Sequence, residues 1–308
     1  MPDKEPLFSV VITAYNHGEH IISTIESVLN QTMQNFEIIV IDDGSPDDTE
    51  QKVATISDDR LRYFRQEPSG LPAYSRNRGI ECSRGRYIAL LDGDDRWLPE
   101  KLEKMKAIFS SDPEIDIICH DLKVTGEDGG FVRRTYHGPY PEDMYGKLLW
   151  DGNCLGTTMA SLKREIFFEH GFWFDEDKRL FTVEDYDFWL RLAASGKIRF
   201  YYCSEVLAEH FISEKGAVLD NVEKNTINTL YLFDKNTKDD HLRTKEKKKL
   251  IRQRRSSIMT SAALAYNYKK DYKNSVRWFM RAIKENPSVK NNYAGFFLST
   301  LGISLKRI

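Results

Sequence analysis

The chain has 308 residues, of which 41% are hydrophobic and 12% aromatic, a composition that suits a globular protein and excludes an intrinsically disordered one. Its 45 basic and 47 acidic residues leave a net charge of −2, so the whole-chain balance gives no field that would hold a nucleic acid. At this length we expect one large domain with an appendage.

The cysteines and the apolar runs indicate where the protein resides. Cys82, Cys119, Cys154 and Cys203 are scattered without a CxxC spacing, which argues against a disulfide framework or a zinc site and favours reduced thiols. No apolar run approaches the ~18 to 20 residues that span a bilayer. Residues 1–6 are too polar for a signal peptide. We therefore expect a soluble, cytoplasmic protein.

The first hundred residues alternate short β-branched runs with helical patterns, which predicts a parallel sheet with helices on its faces. Strands are predicted at 8–13, 36–41, 61–65 and 86–91, and helices at 19–30 and 72–83. After the second strand, Ser45 is predicted as an N-cap and Pro46 as the first helical residue. The strand ends at Thr13, Asp43 and Asp92 would then share one carboxyl edge, where open α/β sheets bind ligands.

From Pro99 onward the pattern continues to about residue 215, and we take 1–215 as the first domain. It predicts a helix at 100–109, a strand at 115–119, a loop or hairpin at 126–138, and further strands at 157–162, 198–203 and 205–211. Val183 begins an amphipathic helix that stops near Gly196. These elements complete the predicted main domain.

Residues 216–308 are predicted as a helical C-terminal region. The charge-dense segment 234–255 is typical of a solvated helix or connector, with nucleic-acid or anionic-lipid contact as the alternative. Residues 262–286 resemble one tetratricopeptide-type helical hairpin, which cannot bury its own face and so packs on the first domain, a partner or a second copy. The tail from Tyr293 is predicted as a docking helix, with a membrane-surface helix as the alternative.

An acidic cluster follows the strand at 86–91. Alternation along an extended backbone puts Asp92 and Asp94 on the same side, so two carboxylates point together where the strand leaves its sheet. Hard oxygen ligands with no nearby His or Cys suit Mg or Mn. The alternative is an acidic strand-to-helix turn in which Asp95 or a neighbour caps the helix that Pro99 opens.

Five motifs stand in a fixed order: SVVITAYN (9–16), IDDGS (41–45), SRNRGI (75–80), LDGDD (91–95) and EDYD (184–187). Together they resemble the inverting family 2 glycosyltransferases with the GT-A fold, over about residues 7 to 212. The resemblance implies an α/β fold, a Rossmann-like mixed sheet flanked by helices, beside the small all-helical C-terminal region.

The resemblance implies a nucleotide site in the first two loops. The turn formed by Thr13, Ala14, Tyr15 and Asn16 would offer backbone groups and an aromatic ring to the base, and Asp43 would accept hydrogen bonds from the base edge. The alternatives are ordinary packing for Tyr15 and a helix-terminus cap for Asp43.

The same resemblance gives the acidic cluster its roles. Asp92 would reach the ribose or the metal, Gly93 would permit close approach, and Asp94 would ligate the Mn or Mg that bridges the two phosphates. Asp95 would orient its neighbours. Arg76 would carry positive charge toward this cluster or the diphosphate, whereas an isolated helical arginine is more often a surface charge.

The resemblance also places the catalytic base at Asp185, paired with Glu184 at the start of a helix. One base removes the proton of the acceptor hydroxyl, because the metal assists the leaving group. The alternative is that Glu184, Asp185 and Asp187 only stabilise the helix N-terminus. His210 would close the metal shell, or is a partly buried structural histidine.

We therefore expect a metal-dependent inverting transferase that moves a sugar from a nucleotide-sugar donor, with a UDP-sugar favoured, to a glycan, lipid-linked or protein acceptor. Processive synthases carry QxxRW, and we read the related residues 274–278 as coincidence, so single additions are favoured. The alternatives are a catalytically silent nucleotide-sugar-binding scaffold that recruits partners through its helical tail, and a metal-dependent phosphohydrolase. Peripheral contact with a membrane or a protein through the C-terminal helices, and homo-oligomerisation, are left open, as are the donor sugar and the acceptor.

Overall fold

The computed structural model describes residues 5–126, 130–135, 137–211, 221–238 and 244–305. These residues form two compact units. The first comprises the described parts of Met1–Leu148, Asn153–Glu176 and Glu184–Ser213, and the second those of Leu149–Gly152, Asp177–Val183 and Glu214–Ile308. The boundary predicted near residue 215 lies outside the described residues.

The first unit is built on a mixed nine-stranded sheet, in the order β3-β2-β1-β4-β8-β6-β9-β5 with β7 paired to β6. The strands are β1 Phe8–Ala14, β2 Phe36–Asp42, β3 Leu61–Arg65, β4 Tyr87–Asp92, β5 Arg96–Trp97, β6 Ile117–Thr125, β7 Phe131–Thr135, β8 Ala160–Lys163 and β9 Phe200–Phe211. Strands β1 to β4 are parallel, β8 runs antiparallel to β4 and β6, and β9 is parallel to β6. The predicted mixed α/β sheet is confirmed.

The helices that precede β9 are α1 Ile21–Leu29, α2 Thr49–Val53, α3 Pro72–Glu81, α4 Lys101–Ser111, α5 Met144–Asp151, α6 Glu165–Phe168 and α7 Glu184–Ala194. Short 3₁₀ helices lie at Thr157–Met159 and Lys178–Leu180. The central strands are buried on both faces, as the continuous apolar runs of parallel strands require. In α1, Ile21, Ile25 and Val28 are fully buried at helical spacing and pack into the same core as β1.

The turn after β2 differs from the prediction. Helix α2 begins at Thr49 with Asp48 at the N-cap position, so the assignment of Ser45 as N-cap and of the following proline as first helical residue was wrong. The Ser45 amide instead donates to Asp42 Oδ1 at 2.7 Å, and its hydroxyl accepts from the Asn16 amide at 2.9 Å. These two contacts fix Ser45 in the loop, and its side chain is therefore not available to cap a helix.

Two other segments also differ from the prediction. The strands expected at 198–203 and 205–211 form the single strand β9, which continues through a register shift opposite His120 and Asp121. The strand expected at 157–162 begins as a 3₁₀ turn and becomes extended only at Ala160. The hairpin alternative for 126–138 is confirmed, because β7 pairs antiparallel to β6.

The C-terminal part of the second unit is built from the α-helices α8 Val222–Thr237, α9 Lys245–Tyr268, α10 Tyr272–Glu285 and α11 Lys290–Thr300. Helices α9 and α10 form the predicted hairpin, whose core includes Trp278, Phe279 and Ala263. The Asp271 side chain caps α10 by accepting from the Asn274 amide at 3.1 Å. Helix α8 was not predicted, and residues 306–308 of the tail lie outside the described range.

Among the described residues, no helix combines the length and the apolar character that crossing a bilayer demands.

Candidate active site

The predicted edge of the sheet is confirmed by strand register. Strands β1, β2 and β4 run parallel, with Thr13 opposite Asp92 and Ala14 opposite Asp42, so their carboxyl ends meet. Gly93 follows β4, and its amide donates to the Thr13 carbonyl at 3.0 Å. A Cβ at this glycine would lie 2.8 Å from that carbonyl, so only glycine permits this approach of the two strands.

The loop after β1 is held against the loop after β2. Asn16 adopts φ +59°, a left-handed conformation that asparagine tolerates, and its amide donates to Ser45 Oγ. The Ala14 carbonyl accepts from the Asp43 amide at 2.9 Å. The Tyr15 ring is 54% exposed, so it is not part of the core packing and remains accessible to a ligand.

Asp43 is buried and already engaged. Its Oδ1 accepts from Gln66 Nε2 at 2.7 Å and from the Ser69 amide at 2.9 Å, and its Oδ2 accepts from Ser69 Oγ at 3.1 Å and the Gly70 amide at 2.9 Å. The side chain therefore holds the turn at 66–70 beside the edge and does not cap α2. The contact with a base that is predicted for Asp43 requires a base to share or displace one of these donors.

Arg76 joins two carboxylates that are far apart in sequence. Its guanidinium is 8% exposed and donates from Nη1 to Glu184 Oε1 at 2.6 Å and from Nη2 to Asp92 Oδ1 at 3.2 Å. Burial alone would lower the pKa of Arg76, but the negative charges of Asp92 and Glu184 raise it by more, so the pKa lies above its ordinary value and the guanidinium stays charged. The structure thus places Arg76 within the acidic cluster and not on the surface.

Asp92 is fixed from several sides. Besides Arg76, Thr157 Oγ1 donates to its Oδ2 at 2.7 Å and Thr13 Oγ1 lies 3.4 Å from its Oδ1. Although burial acts to raise it, the charge of Arg76 and the Thr157 hydroxyl hold the pKa of Asp92 below its ordinary value. Asp92 is therefore ionised and oriented before any ligand binds.

Asp95 and His210 form a pair that the sequence did not predict. Asp95 is buried, its Oδ1 lies 2.8 Å from His210 Nδ1, and its Oδ2 accepts from Thr158 Oγ1 at 2.5 Å. Burial raises the pKa of Asp95 to about 6, and the hydrogen bond to Asp95 raises the pKa of His210 to about 9. Asp95 thus orients the imidazole and leaves Nε2 as the ring nitrogen for a further partner.

Asp94 differs from its neighbours, because no described side chain donates a hydrogen bond to its half-buried carboxylate. No group of three or more His, Cys, Asp or Glu side chains in the described part of the chain is arranged to hold a metal. Mg²⁺ is commonly bound by one or two carboxylates, with substrate phosphates and water completing the octahedron. The free carboxylate of Asp94 beside ionised Asp92 fits such a cation.

The first turn of α7 carries three acidic residues with different partners. Asp187 pairs with Arg191 at 2.6 Å, and Glu184 pairs with Arg76. Asp185 accepts from Asn153 Nδ2 at 3.2 Å and from the Tyr186 amide at 2.6 Å, but no described basic side chain forms an ion pair with it. Burial and the neighbouring Glu184 raise the pKa of Asp185 to about 7. That value is unusual for a structural helix-terminus carboxylate and suits proton transfer at neutral pH.

The structure thus brings the other eleven predicted site residues into one network or its bordering loops, and it places Tyr15 exposed beside them. The residues that sequence reasoning missed are the hydrogen-bond partners Asn153, Thr157 and Thr158. A threonine pair before a strand carries no local signal of contact with a carboxylate some 65 residues earlier in the chain.

A mixed sheet with carboxylates clustered at the carboxyl edge of its parallel strands is the architecture of a GT-A-type glycosyltransferase. The family follows from comparison with known sequences: the chain belongs to glycosyl transferase family 2, whose family model matches residues 9–171. Among its relatives is the Escherichia coli UDP-Glc:alpha-D-GlcNAc-diphosphoundecaprenol beta-1,3-glucosyltransferase WfgD, which is 30% identical over 213 residues, 68% of this chain and 78% of WfgD.

Solved structures share the fold at low sequence identity. S. aureus TarS 1-349 in complex with UDP-GlcNAc superposes with a TM-score of 0.64 at 16% identity, covering 97% of this chain and 93% of that one. The mannosyltransferase PcManGT from Pyrobaculum calidifontis, in complex with GDP-Man and Mn²⁺, gives a TM-score of 0.59 at 14% identity, covering 98% and 86%. Both matches extend beyond the sheet domain and cover nearly the whole chain.

Proposed function

We propose that this glycosyltransferase is metal-dependent and inverting, and that it moves a sugar from a UDP-sugar donor to an acceptor hydroxyl. The observation that carries the proposal is the junction at the sheet edge. There, Arg76 ties Asp92 to Glu184, while the adjacent Asp185 keeps a carboxylate with a pKa of about 7 and no described ion-pair partner. The carboxylate of Asp92 is thus held ionised beside the donor, and the carboxylate of Asp185 has a pKa that lets it accept a proton at neutral pH.

Asp185 acts as the general base. Inversion needs one group that removes the proton of the acceptor hydroxyl as its oxygen attacks the anomeric carbon, opposite the departing diphosphate. A pKa of about 7 lets a useful fraction of Asp185 be ionised at neutral pH and still hold the proton after transfer. Asn153 donates to Oδ2 and orients the carboxylate, and Glu184 holds Arg76 in place and raises the basicity of Asp185.

The donor occupies the edge formed by β1, β2 and β4. Asp94 would hold Mn or Mg beside ionised Asp92, with the donor phosphates and water completing the shell; His210, predicted as a further ligand, does not form a group of three with these aspartates among the described residues. When bound, the cation supplies charge that neutralises the departing nucleoside diphosphate. The turn 13–16 and Asp43 bind the nucleoside, and Arg76 keeps Asp92 ionised and in position.

The acceptor is proposed from the relatives. WfgD is named for transfer to a diphosphoundecaprenol-linked sugar, and the TarS structure holds UDP-GlcNAc. We therefore propose a lipid-linked or other glycan acceptor in the synthesis of a cell-envelope polysaccharide, at the cytoplasmic face of the membrane.

The test has two stages. A thermal-shift screen of nucleotide sugars with Mn identifies the donor, because a ligand that binds only the native state raises its stability. Donor-dependent release of nucleoside diphosphate is then measured for the wild type, Asp94→Ala and Asp185→Asn. We expect losses on the order of 10² to 10⁴ in kcat for Asp185→Asn. Asp48→Asn is the matched control, because this exposed aspartate forms a surface ion pair with Lys52 and with no other residue in the described part of the chain.

Intact turnover in both variants would exclude the proposed roles. Binding of UDP by calorimetry, without transfer to any acceptor or to water, would instead support the silent scaffold.

A further inference from the structure

The charge of the chain is divided unequally along the sequence. Residues 244–308 contain 16 Lys and Arg against 3 Asp and Glu, a net charge of +13, while residues 1–243 contain 29 against 44, a net charge of −15. The whole-chain value of −2 therefore conceals a strongly basic C-terminal region. Such an asymmetry is typical of a region that meets an anionic partner.

Most of this positive charge is exposed and not neutralised within the fold. Arg255 pairs with Asp234 and Glu285, and Arg277 pairs with Glu223. Nine other exposed cations form no ion pair with any described residue: Lys245, Lys248, Lys249, Arg252, Lys270, Lys273, Arg281, Lys284 and Lys290. Their charge is available to a partner.

Helix α11 presents an apolar stripe in this basic region. Tyr293, Phe297 and Leu301 follow one another at i, i+4 and i+8 and are exposed, Phe297 by 63% and Leu301 by 72%. Ile303, which follows the end of the helix, is also exposed, and the exposed Lys290 lies on the same helical face as the stripe. The sequence contains no acidic residue after Glu285. We call Lys290, Tyr293, Phe297, Leu301 and Ile303 the α11 face.

The opposite side of α11 is fixed to its own unit. Asn292 Nδ2 donates to Ser256 Oγ of α9 at 3.2 Å, and a Cβ on Gly295 would lie 2.3 Å from the Phe279 ring of α10. These contacts, together with Phe296 packed against the core of the unit, hold one side of α11 against α9 and α10, while Tyr293, Phe297 and Leu301 stay exposed. The exposed stripe therefore does not complete the core of the second unit.

We propose that the α11 face docks on an anionic lipid bilayer. Such a surface accepts both features at once, since tyrosine, phenylalanine and leucine enter the headgroup boundary while lysine and arginine meet the lipid phosphates. A nucleic acid would pair with the cations but leave the apolar stripe in water. A second copy of the same face would bring an equal positive charge against it. The proposal does not depend on the transfer reaction.

The test measures sedimentation of the full chain with vesicles of phosphatidylcholine alone and with vesicles in which about a third of the lipid is phosphatidylglycerol. We expect binding to the anionic vesicles only, and weaker binding when salt rises from about 0.1 M to about 0.5 M.

Two pairs of substitutions separate the apolar from the electrostatic part. Phe297→Ser with Leu301→Ser, and Lys284→Gln with Lys290→Gln, should each lower partitioning to anionic vesicles on the order of tenfold. All four side chains are exposed, so both variants should keep the thermal unfolding midpoint of the wild type. Phe131→Ser is the matched control, since Phe131 lies in the first unit and is 69% exposed; its partitioning should not change.

Equal binding to both kinds of vesicle, no binding to anionic vesicles, or an unchanged affinity in both paired variants would each overturn the proposal. So would self-association or RNA binding that is lost in the Phe297/Leu301 variant while vesicle binding persists. None of these outcomes involves sugar transfer, so they do not bear on the proposed activity.

Discussion

The junction at Arg76 predicts opposite pH shifts for two neighbouring substitutions. Burial and Glu184 raise the pKa of Asp185 to about 7, while the charge of Arg76 acts to lower it. Arg76→Gln removes the favourable charge, so the pKa of Asp185 should rise further. Glu184→Gln removes the repelling charge and leaves Arg76 to act on Asp185, so that pKa should fall. The acidic limb of the pH profile of kcat/KM should therefore move to higher pH in Arg76→Gln and to lower pH in Glu184→Gln.

The size of the effect follows from the charge of Arg76, which acts on Asp185 without forming an ion pair with it. An opposite charge within a few ångströms moves a carboxyl pKa by about one to three units, and we take one unit as the lower bound. For a base with a pKa of about 7, roughly half the molecules are ionised at pH 7. At a pKa near 8 the ionised fraction is roughly a tenth, so Arg76→Gln should lose about fivefold from protonation alone and recover that part near pH 9.

The assay is nucleoside diphosphate release measured from pH 5 to 9, at fixed metal and donor, for the wild type and both variants. Removing Arg76 leaves Asp92 and Glu184 without their shared donor, and breaking such a buried pair costs about 3–5 kcal/mol. Circular dichroism must therefore confirm folding at every pH. If both variants shift the limb in the same direction, or neither shifts it, the assignment of Asp185 as the titrating base fails.

Three further outcomes are expected. Above pH 7, Asp185→Asn should have a free energy of unfolding higher than that of the wild type by on the order of 2 kcal/mol, and below pH 4 the two should not differ. The reason is that the raised pKa of Asp185 in the folded state, about 7 against 3.8, costs the wild type stability as pH rises between these values. An unchanged thermal midpoint above pH 7 would contradict this. Gly93→Ala should lose about 1–3 kcal/mol by calorimetry, since its Cβ would lie 2.8 Å from the Thr13 carbonyl, and a neutral effect would show that the strands can separate. Asp95→Asn should return the imidazole pKa of His210 from about 9 towards 6.5 in an NMR titration, and a value that stays near 9 would exclude Asp95 as its cause.

The sequence predicts the strands of the first half closely because their signal is local. The runs 8–13, 36–41, 61–65 and 86–91 are dense in β-branched and large apolar residues and end in turns, and each lies within a residue of the observed strand. Ser45 shows where local reasoning fails. Its cap propensity is genuine, but the tertiary contacts with Asn16 and Asp42 take precedence, and no window of the sequence reveals them.

The candidate site also has a part that the sequence predicts and a part that it does not. The motifs locate the individual carboxylates, but the pairings that give them function join residues 108 and 115 positions apart, Arg76 with Glu184 and Asp95 with His210. Only the folded sheet brings such residues together. The basic C-terminal region is a different case, because its net charge of +13 is readable from the sequence once the two parts of the chain are counted separately.

The geometry also separates the two aspartates that flank Gly93. Both carboxylate oxygens of Asp92 already accept hydrogen bonds, one from Arg76 and the other from Thr157, and these contacts hold the side chain ionised and in place. Asp94 accepts from no described side chain, so its lone pairs are the ones that a cation can take without displacing a protein donor. A rigid first carboxylate beside an uncommitted second one is what a site needs when its cation arrives with the diphosphate, because the protein keeps its geometry while the ligand shell changes.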